Sequence, residues 1–331
     1  MQVQTKSDAT TERSIMKIIS YQIKDKAIWI VFLALFLFFS LATDRFFNPS
    51  NLLIVLRQVS MYGIAAIGMT FVILTAGIDL SVGSIISIVG VVCAYFMVNL
   101  GMDMWLAIPI TLLLATFIGI LNGAMVATIG MPAIIATFST QIVVQGIALL
   151  ISGGRPITGF DDSFKVIGQG LVGNTPIPVP VVIMLVCFAL GSFILNKTYF
   201  GRYFYAIGDN EEASRLSGIR IVRVKYLVYA LSGFFSGLAG VVLLSRTNSA
   251  QPTAGNGWEF AVITCVVLGG VSISGGFGKF SNVIAGVLII GVLINGMVLM
   301  NISAFTQMVV QGCVLAFAVG FDCIQKRRQI I

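Results

Sequence analysis

The sequence predicts an all-α, polytopic transmembrane helical bundle, and three observations support this fold class. Hydrophobic residues make up 57% of the chain and charged residues only 10%, whereas soluble domains carry roughly 25% charged residues. The mean hydropathy of the 331 residues is +1.00. Apolar runs of about 20 residues, the length with which a helix spans a bilayer, recur along the whole chain. A soluble globular protein is therefore excluded.

The positions of these apolar runs predict about ten spans. The first run follows a basic leader, but the chain stays hydrophobic after it, so an uncleaved span is favoured over a cleaved signal peptide. The predicted spans lie, in chain order, at 27–42, 52–76, 82–99, 104–129, 132–152, 178–195, 226–245, 259–275, 282–300 and 303–322. An even number of spans places both termini on the same side of the membrane.

The distribution of lysine and arginine predicts which side that is. With both termini inside, fifteen of the 20 basic residues fall on the cytoplasmic side and four on the opposite side. Such an excess is typical of cytoplasmic loops in membrane proteins. The expected organisation is a cytoplasmic leader at 1–26, one transmembrane domain at 27–322 with a cytoplasmic loop at 196–225 and an external loop at 152–178, and a cytoplasmic tail at 323–331.

The predicted external loop at 152–178 is rich in glycine and proline. This composition favours an irregular segment over a folded domain. Two interpretations stay open for it: a plain connector, or part of a docking surface for an extracytoplasmic partner.

The basic loop at 196–225 has the pattern of a short capped helix. Asn210 or Asp209 suits the N-cap of a helix over Glu211–Ser217, because both side chains can accept hydrogen bonds from backbone N–H groups. Acidic residues occupy its first turn, and Gly218 fits a C-terminal stop. The alternative is a solvated connector, which needs neither caps nor a stop. The pattern therefore indicates a structured loop that a soluble partner can bind.

Polar residues within the apolar runs are candidates for a solute pathway or for contacts between spans. Asp79 is predicted to cap the helix that begins near Ser81, with direct solute contact as the alternative. Glu259 follows an expected external turn and opens an apolar run, where a carboxylate favours a helix N-terminus. Amides at such depth are expected to hydrogen-bond between helices or to a polar solute. The further polar candidates are Ser81, Asn122, Gln251, Asn295 and Gln307.

Several classes of activity are excluded by the residues present. The glycine-rich stretch 267–279 resembles a phosphate-binding loop only superficially, because Ile273 and Phe280 occupy positions where GxxxxGK[ST] requires glycine and serine or threonine. We therefore expect no ATP bound by this chain. Histidine is absent, and no paired carboxylates or activated nucleophile stand out. Neither an enzyme nor a bound metal or cofactor is expected.

Several motifs together resemble the permease subunits of ribose-type monosaccharide ABC importers. Glu212-Ala213-Ser214 followed by Gly218 is similar to the EAA-xxx-G cytoplasmic loop of ABC importer permeases, with serine at the third place. The resemblance runs from about Phe46 to Asp322. The wider set of similar motifs comprises Gly77–Gly83, Gly201–Gly208, Ser249–Gly255, Leu268–Gly276 and Asn295-Gly296.

The resemblance implies a bacterial inner-membrane importer in which a homodimer of this subunit lies beneath an extracytoplasmic sugar-binding protein. A cytoplasmic tandem-domain ATPase would use ATP and Mg²⁺ to drive alternating access for a ribose-like sugar; lipid, and no nucleic acid, would surround the subunit. An ion-coupled secondary transporter of a small polar solute is the alternative. By transfer, the segment that couples to the ATPase comprises Arg202, Gly208, Asn210, Glu211, Glu212, Ala213, Ser214 and Gly218.

Overall fold

The computed structural model describes residues 27–330, with side chains described as far as residue 324, and this part of the chain is all-helical apart from turns and two isolated β-bridges. The predicted all-α fold is confirmed. The helices are α1 (Ala27–Ala42), α2 (Pro49–Leu74), α3 (Val82–Ala94, followed by the π-helical turn Tyr95–Asn99), α4 (Met104–Ala127), α5 (Ala133–Ser152), α6 (Asp162–Gln169), α7 (Val179–Lys197), α8 (Tyr199–Asp209), α9 (Glu211–Leu216), α10 (Ile221–Thr247), α11 (Trp258–Leu268), α12 (Phe280–Leu299) and α13 (Ala304–Ile330).

Eight of the described helices are long and apolar enough to cross a membrane, namely α2, α3 with its π-helical turn, α4, α5, α7, α10, α12 and α13. Helices α1 and α11 are apolar but shorter. The ten predicted apolar segments correspond to these eight helices and the two shorter ones. The predicted leader at 1–26 lies outside the described residues.

Local sequence explains where individual helices begin and end. The side chain of Asn48 accepts a hydrogen bond from the Ser50 N–H at the start of α2, and a proline occupies its first position, both of which favour helix initiation. Asp103 caps α4 in the same way through the Trp105 N–H. Helix α5 ends at Gly153, whose φ of 60° is the left-handed conformation common after a helix.

Helix α10 is the central element of the bundle and packs against α2, α3 and α4. Small residues allow the close approach of these helices. A Cβ atom added at Gly119 would overlap the carbonyl oxygen of Tyr229, and one at Gly68 would lie 2.7 Å from the Cα of Ser232. By contrast, only 22% of α5 and 6% of α13 are buried over their apolar windows. Those two helices therefore present apolar faces to lipid or to another chain.

One predicted span is wrong at its end. The run expected at 259–275 is helical only to Leu268, because Gly269 and Gly270, the latter at φ 80°, break the helix. The Gly276 N–H then donates to the Leu74 carbonyl at the end of α2, at 3.0 Å. The stretch before α11 lies against the bundle, since the ring of Trp258 packs on Tyr62 in the middle of α2, 4.4 Å between centroids.

The segment at 152–178 is more ordered than its composition predicts. It contains the helix α6, and Ser245 of α10 holds this helix by donating to the Phe164 carbonyl at 2.6 Å and accepting from the Gly168 N–H at 2.7 Å. Ile157 also pairs with Ala250 in an isolated bridge. The expectation of an irregular segment is corrected, because one buried hydroxyl satisfies two backbone groups of a short helix.

Candidate coupling surface and polar network

Helix α9 forms as the capping pattern predicts. Asn210, and not Asp209, is the N-cap: its side-chain oxygen accepts a hydrogen bond from the Ala213 N–H at 2.9 Å. The helix ends at Leu216, one residue earlier than predicted. Gly218 follows at φ 84°, a conformation that a residue with a side chain rarely adopts. The capped helix and its glycine stop are therefore confirmed.

One side of α9 is anchored to the bundle and the other is open. The Glu211 carboxylate binds the Lys225 ammonium of α10, with N–O distances of 2.8 and 2.9 Å, and the Lys225 side chain is only 15% exposed. Ser214 is buried. On the open side, Glu212 pairs with Arg215 at 2.6 Å. The outward surface therefore combines an ion pair with apolar groups, including Leu216, which is 80% exposed.

The neighbouring helix α8 carries two of the predicted coupling residues, and one of them is exposed while the other is buried. Arg202 is exposed. Gly208 is buried, and a Cβ added there would overlap both the Leu74 carbonyl oxygen and the Gly276 N–H. Gly208 therefore lies against the hydrogen bond that joins the end of α2 to the glycine-rich loop at 269–279.

Helix α8 itself was not predicted from the sequence. The aromatic and aliphatic residues Phe200, Phe204 and Ile207 recur at helical spacing and are buried or packed against the core. That period is the signal of an amphipathic helix, and it could have identified α8 before the structure.

The glycine-rich loop is held by side chains from two other helices. Asp322 of α13 accepts hydrogen bonds from the Ser272 hydroxyl at 2.9 Å and the Ile273 N–H at 3.1 Å. Tyr205 of α8 donates its hydroxyl to the Gly278 carbonyl at 2.9 Å. The loop therefore connects α8, α13 and the end of α2.

Asp79 is fully buried in the turn between α2 and α3. One carboxylate oxygen accepts from the Ser81 N–H at 3.0 Å and the Ser81 hydroxyl at 2.6 Å, and the other accepts from the Ser232 hydroxyl of α10 at 2.7 Å. The prediction that Asp79 accepts a backbone N–H bond at the start of α3 is confirmed through Ser81, although Ser81 is itself the N-cap of α3 and Asp79 lies two residues before it. Asp79 also joins this turn to α10.

The amide of Asn122 extends this network to two more helices. It donates to the Ser81 hydroxyl at 2.8 Å and accepts from the Thr140 hydroxyl of α5 at 2.6 Å. Thr137 of α5 also accepts from the Leu80 N–H at 3.0 Å. The prediction of interhelical bonding by Asn122 is confirmed. Ser232, Thr137 and Thr140 were missed, because isolated hydroxyl residues in apolar helices give no signal of their partners.

The remaining predicted polar residues lie apart from this network. Asn295 and Asn51 exchange two hydrogen bonds of 2.9 Å between α12 and α2, which confirms the expected interhelical role of Asn295. Gln307 donates to the nearby Ile302 carbonyl, and its expected interhelical role stays a prediction. Gln251 is exposed. Glu259 lies in the first turn of α11 as predicted and accepts from the Gln141 amide at 2.9 Å.

A cavity of about 480 Å³ lies between α9, the start of α10 and the turn after α2. Its lining includes Glu211, Lys225, Gly77 and Tyr229. It therefore connects the anchored side of α9 to the segment that carries Asp79. Within residues 27–330, no group of three or more potential metal ligands occurs.

Eight apolar candidate spans joined by buried polar contacts indicate a multi-pass membrane protein. The chain belongs to the family described as the permease component of branched-chain amino acid transport systems, which matches residues 51–319. The resemblance indicated by its motifs and the expected inner-membrane location are confirmed.

Three relatives show the similarity over most of the chain. The ribose import permease protein of Haemophilus influenzae is 45% identical, over 86% of this chain and 88% of the relative. The ribose import permease protein of Bacillus subtilis is 44% identical over the same shares. The L-arabinose transport system permease protein of Escherichia coli is 40% identical over 88% of each chain. No solved structure matches the chain.

Proposed function

We propose that this chain is the membrane-spanning subunit of an ATP-driven importer for ribose or a similar small monosaccharide. The observation that carries the proposal is helix α9, whose outer surface is open while its inner surface is fixed to α10 by Glu211 and Lys225. The names of the relatives support a pentose as the solute, since two are ribose permeases and one is an L-arabinose permease. These relatives do not favour an ion-coupled secondary transporter.

In this proposal, a separate ATPase binds α9 and moves it. The Glu211–Lys225 ion pair transmits the movement to α10, and the Ser232–Asp79 hydrogen bond carries it from α10 to the turn between α2 and α3. A second path runs from α8 through Gly208 to the end of α2. Both paths end at the same turn, so a shift of α8 and α9 would reorient the helices that line the pathway.

The proposed assembly follows from charge and exposure. The basic segment at 196–225 faces the cytoplasm, where a tandem-domain ATPase uses ATP and Mg²⁺, and the segment at 152–178 faces an extracytoplasmic sugar-binding protein. The exposed apolar faces of α5 and α13 suit lipid and a second copy of the chain. Residues 27–322 form one transmembrane domain, with a cytoplasmic leader at 1–26 and tail at 323–331.

Charge reversal on the open side of α9 tests the proposal. Glu212→Lys should abolish co-purification with the ATPase, since the change places a cation beside Arg215 on the contact surface. The fold should persist, because surface ion pairs contribute only about 0–1 kcal/mol. Asp162→Lys is the matched control: Asp162 forms an exposed i,i+3 ion pair with Lys165, on α6. Undiminished ATPase binding by Glu212→Lys would contradict the coupling assignment.

A further inference from the structure

The span that contains α11 is broken in the middle of the bundle. After α10 ends, residues 248–257 form turns, and α11 begins only at Trp258. Trp258 packs on Tyr62, which lies about 20 Å along α2 from Pro49 at 1.5 Å per residue. Because α2 is 26 residues long, or about 39 Å, the break lies near its midpoint.

Backbone groups at this depth need hydrogen-bond partners from the protein, since lipid offers none. Two side chains supply them. Gln145 of α5 donates its amide to the Pro252 carbonyl at 2.7 Å, and the Ser87 hydroxyl of α3 accepts from the Gly255 N–H at 2.9 Å. The break is therefore a built structure between α3 and α5.

Two buried oxygen acceptors at this break have no hydrogen-bond partner among the described residues. They are Oε1 of Gln145 and Oε2 of Glu259, and the Glu259 residue is only 2% exposed. Gln141, one helical turn before Gln145 and on the same face of α5, already donates to the other Glu259 oxygen. Buried polar atoms are rarely left unpaired, so both oxygens can accept a further hydrogen bond from a donor outside the protein.

The position of the Glu259 carboxylate depends on a glycine. A Cβ added at Gly83 would overlap both the Glu259 Oε2 atom and the Gly255 carbonyl oxygen. Gly83 lies in the first turn of α3, where backbone N–H groups lack intrahelical acceptors and the helix end is partly positive. Glu259 is itself in the first turn of α11. Two helix N-termini therefore stabilise a carboxylate in the middle of the bundle.

The face of α5 that bears these amides is accessible. Gln141 and Gln145 are half-buried, and the adjoining Asn256 and Gly257 are exposed. Polar groups at membrane depth are costly against lipid and commonly line a water-filled cavity. The two unpaired oxygens are themselves buried beside this face, so a solute that presents hydroxyl donors would reach them when α5 and the break move apart during transport.

We propose that Gln145 Oε1 and Glu259 Oε2 accept hydrogen bonds from hydroxyl groups of the passing sugar, so that each subunit carries a sugar subsite at the break between α10 and α11. The inference rests on the proposed function, because it assigns a contact to the sugar that the importer moves. Gln145 then has two roles: its amide nitrogen holds Pro252, and its oxygen binds solute.

The test measures uptake by the whole importer, reconstituted in proteoliposomes with its ATPase and binding protein. Initial rates are compared for ribose and for each monodeoxyribose, with the wild-type chain, Gln145→Met and Glu259→Gln. Because every variant works with the same binding protein, the selectivity of that protein cancels when the ratios of kcat/KM are compared. Gln307→Met is the matched control, as its amide contacts only Ile302.

The proposal expects Gln145→Met to lower kcat/KM for ribose about tenfold, the usual effect of one hydrogen bond of about 1.4 kcal/mol. For one particular deoxyribose, the variant and the wild type should show equal kcat/KM. That sugar lacks the hydroxyl that would donate to the Gln145 oxygen, so removing the oxygen costs nothing further. Glu259→Gln should show the same pattern with a different hydroxyl, and Gln307→Met should show none.

Equal losses for every sugar would overturn the subsite, because a purely structural role of these side chains affects all solutes alike. If Gln145→Met fails to fold, the pattern with Glu259→Gln decides the question in the same way. Absence of ATP-dependent pentose uptake by the wild-type importer would instead overturn the proposed function on which the subsite rests.

Discussion

Replacing Gly208 by alanine tests whether close backbone packing at this residue fixes α8 against the rest of the bundle. The added methyl group would overlap the Leu74 carbonyl oxygen and the Gly276 N–H. These two groups form a hydrogen bond of 3.0 Å with each other. Three elements meet here: α8, the end of α2 and the glycine-rich loop. To make room for the methyl group, one of them has to move away from the other two.

The expected cost can be worked from three contributions. Crowding a packed site costs about 1–3 kcal/mol, and loss of the Gly276–Leu74 hydrogen bond costs about 1 kcal/mol or more where the groups stay buried. Alanine returns about 1 kcal/mol through its higher helix propensity. We expect Gly208→Ala to lower the free energy of unfolding by about 1–3 kcal/mol. Without the contact, the same change would be stabilising.

The assay is reversible unfolding in mixed micelles, followed by circular dichroism, together with the number of sugar molecules moved per ATP hydrolysed. Gly312→Ala in α13 is the control, since no atom lies within 4 Å of a Cβ added there. It should be neutral or slightly stabilising. A Gly208→Ala protein as stable and as tightly coupled as Gly312→Ala would refute the proposed contact.

The polar network gives two further predictions. Asp79→Ala should destabilise the protein more than Asp79→Asn, by about 1–3 kcal/mol. The reason is that alanine leaves the hydroxyls of Ser81 and Ser232 without an acceptor. Equal unfolding curves for the two variants would contradict this prediction. Asn51→Leu and Asn295→Leu should each lower the free energy of unfolding by about 1–3 kcal/mol, because each leaves the partner amide unpaired. The double variant should recover most of that loss. Additive losses in a double-mutant cycle would show that the pair does not interact.

The sequence predicted the helical fold well because apolar length is a strong local signal. It failed at the end of α11, where the apolar run continues past Leu268 through Gly269 and Gly270. The chain after this break is held by the hydrogen bond from Gly276 to Leu74 at the end of α2, which lies about two hundred positions earlier in the sequence. Such a contact leaves no local trace beyond the glycines themselves.

The candidate site could likewise be predicted from the sequence only in part. Asn210 and Gly218 could be assigned because caps and stops are set by neighbouring residues. The partners of Asp79 could not, since Ser232 comes from a helix far along the chain. Likewise, the sequence placed Glu259 at a helix start but gave no sign that Gln141 and Gly83 surround it.

In the proposed function, energy enters this chain from a separate ATPase through α9. The most direct measurement is sugar uptake into proteoliposomes containing this chain and the binding protein, with and without the ATPase, under ATP or under an imposed proton or sodium gradient. We expect uptake only with the ATPase and ATP, and its loss in Glu212→Lys. Uptake driven by an ion gradient in the absence of the ATPase would contradict this expectation.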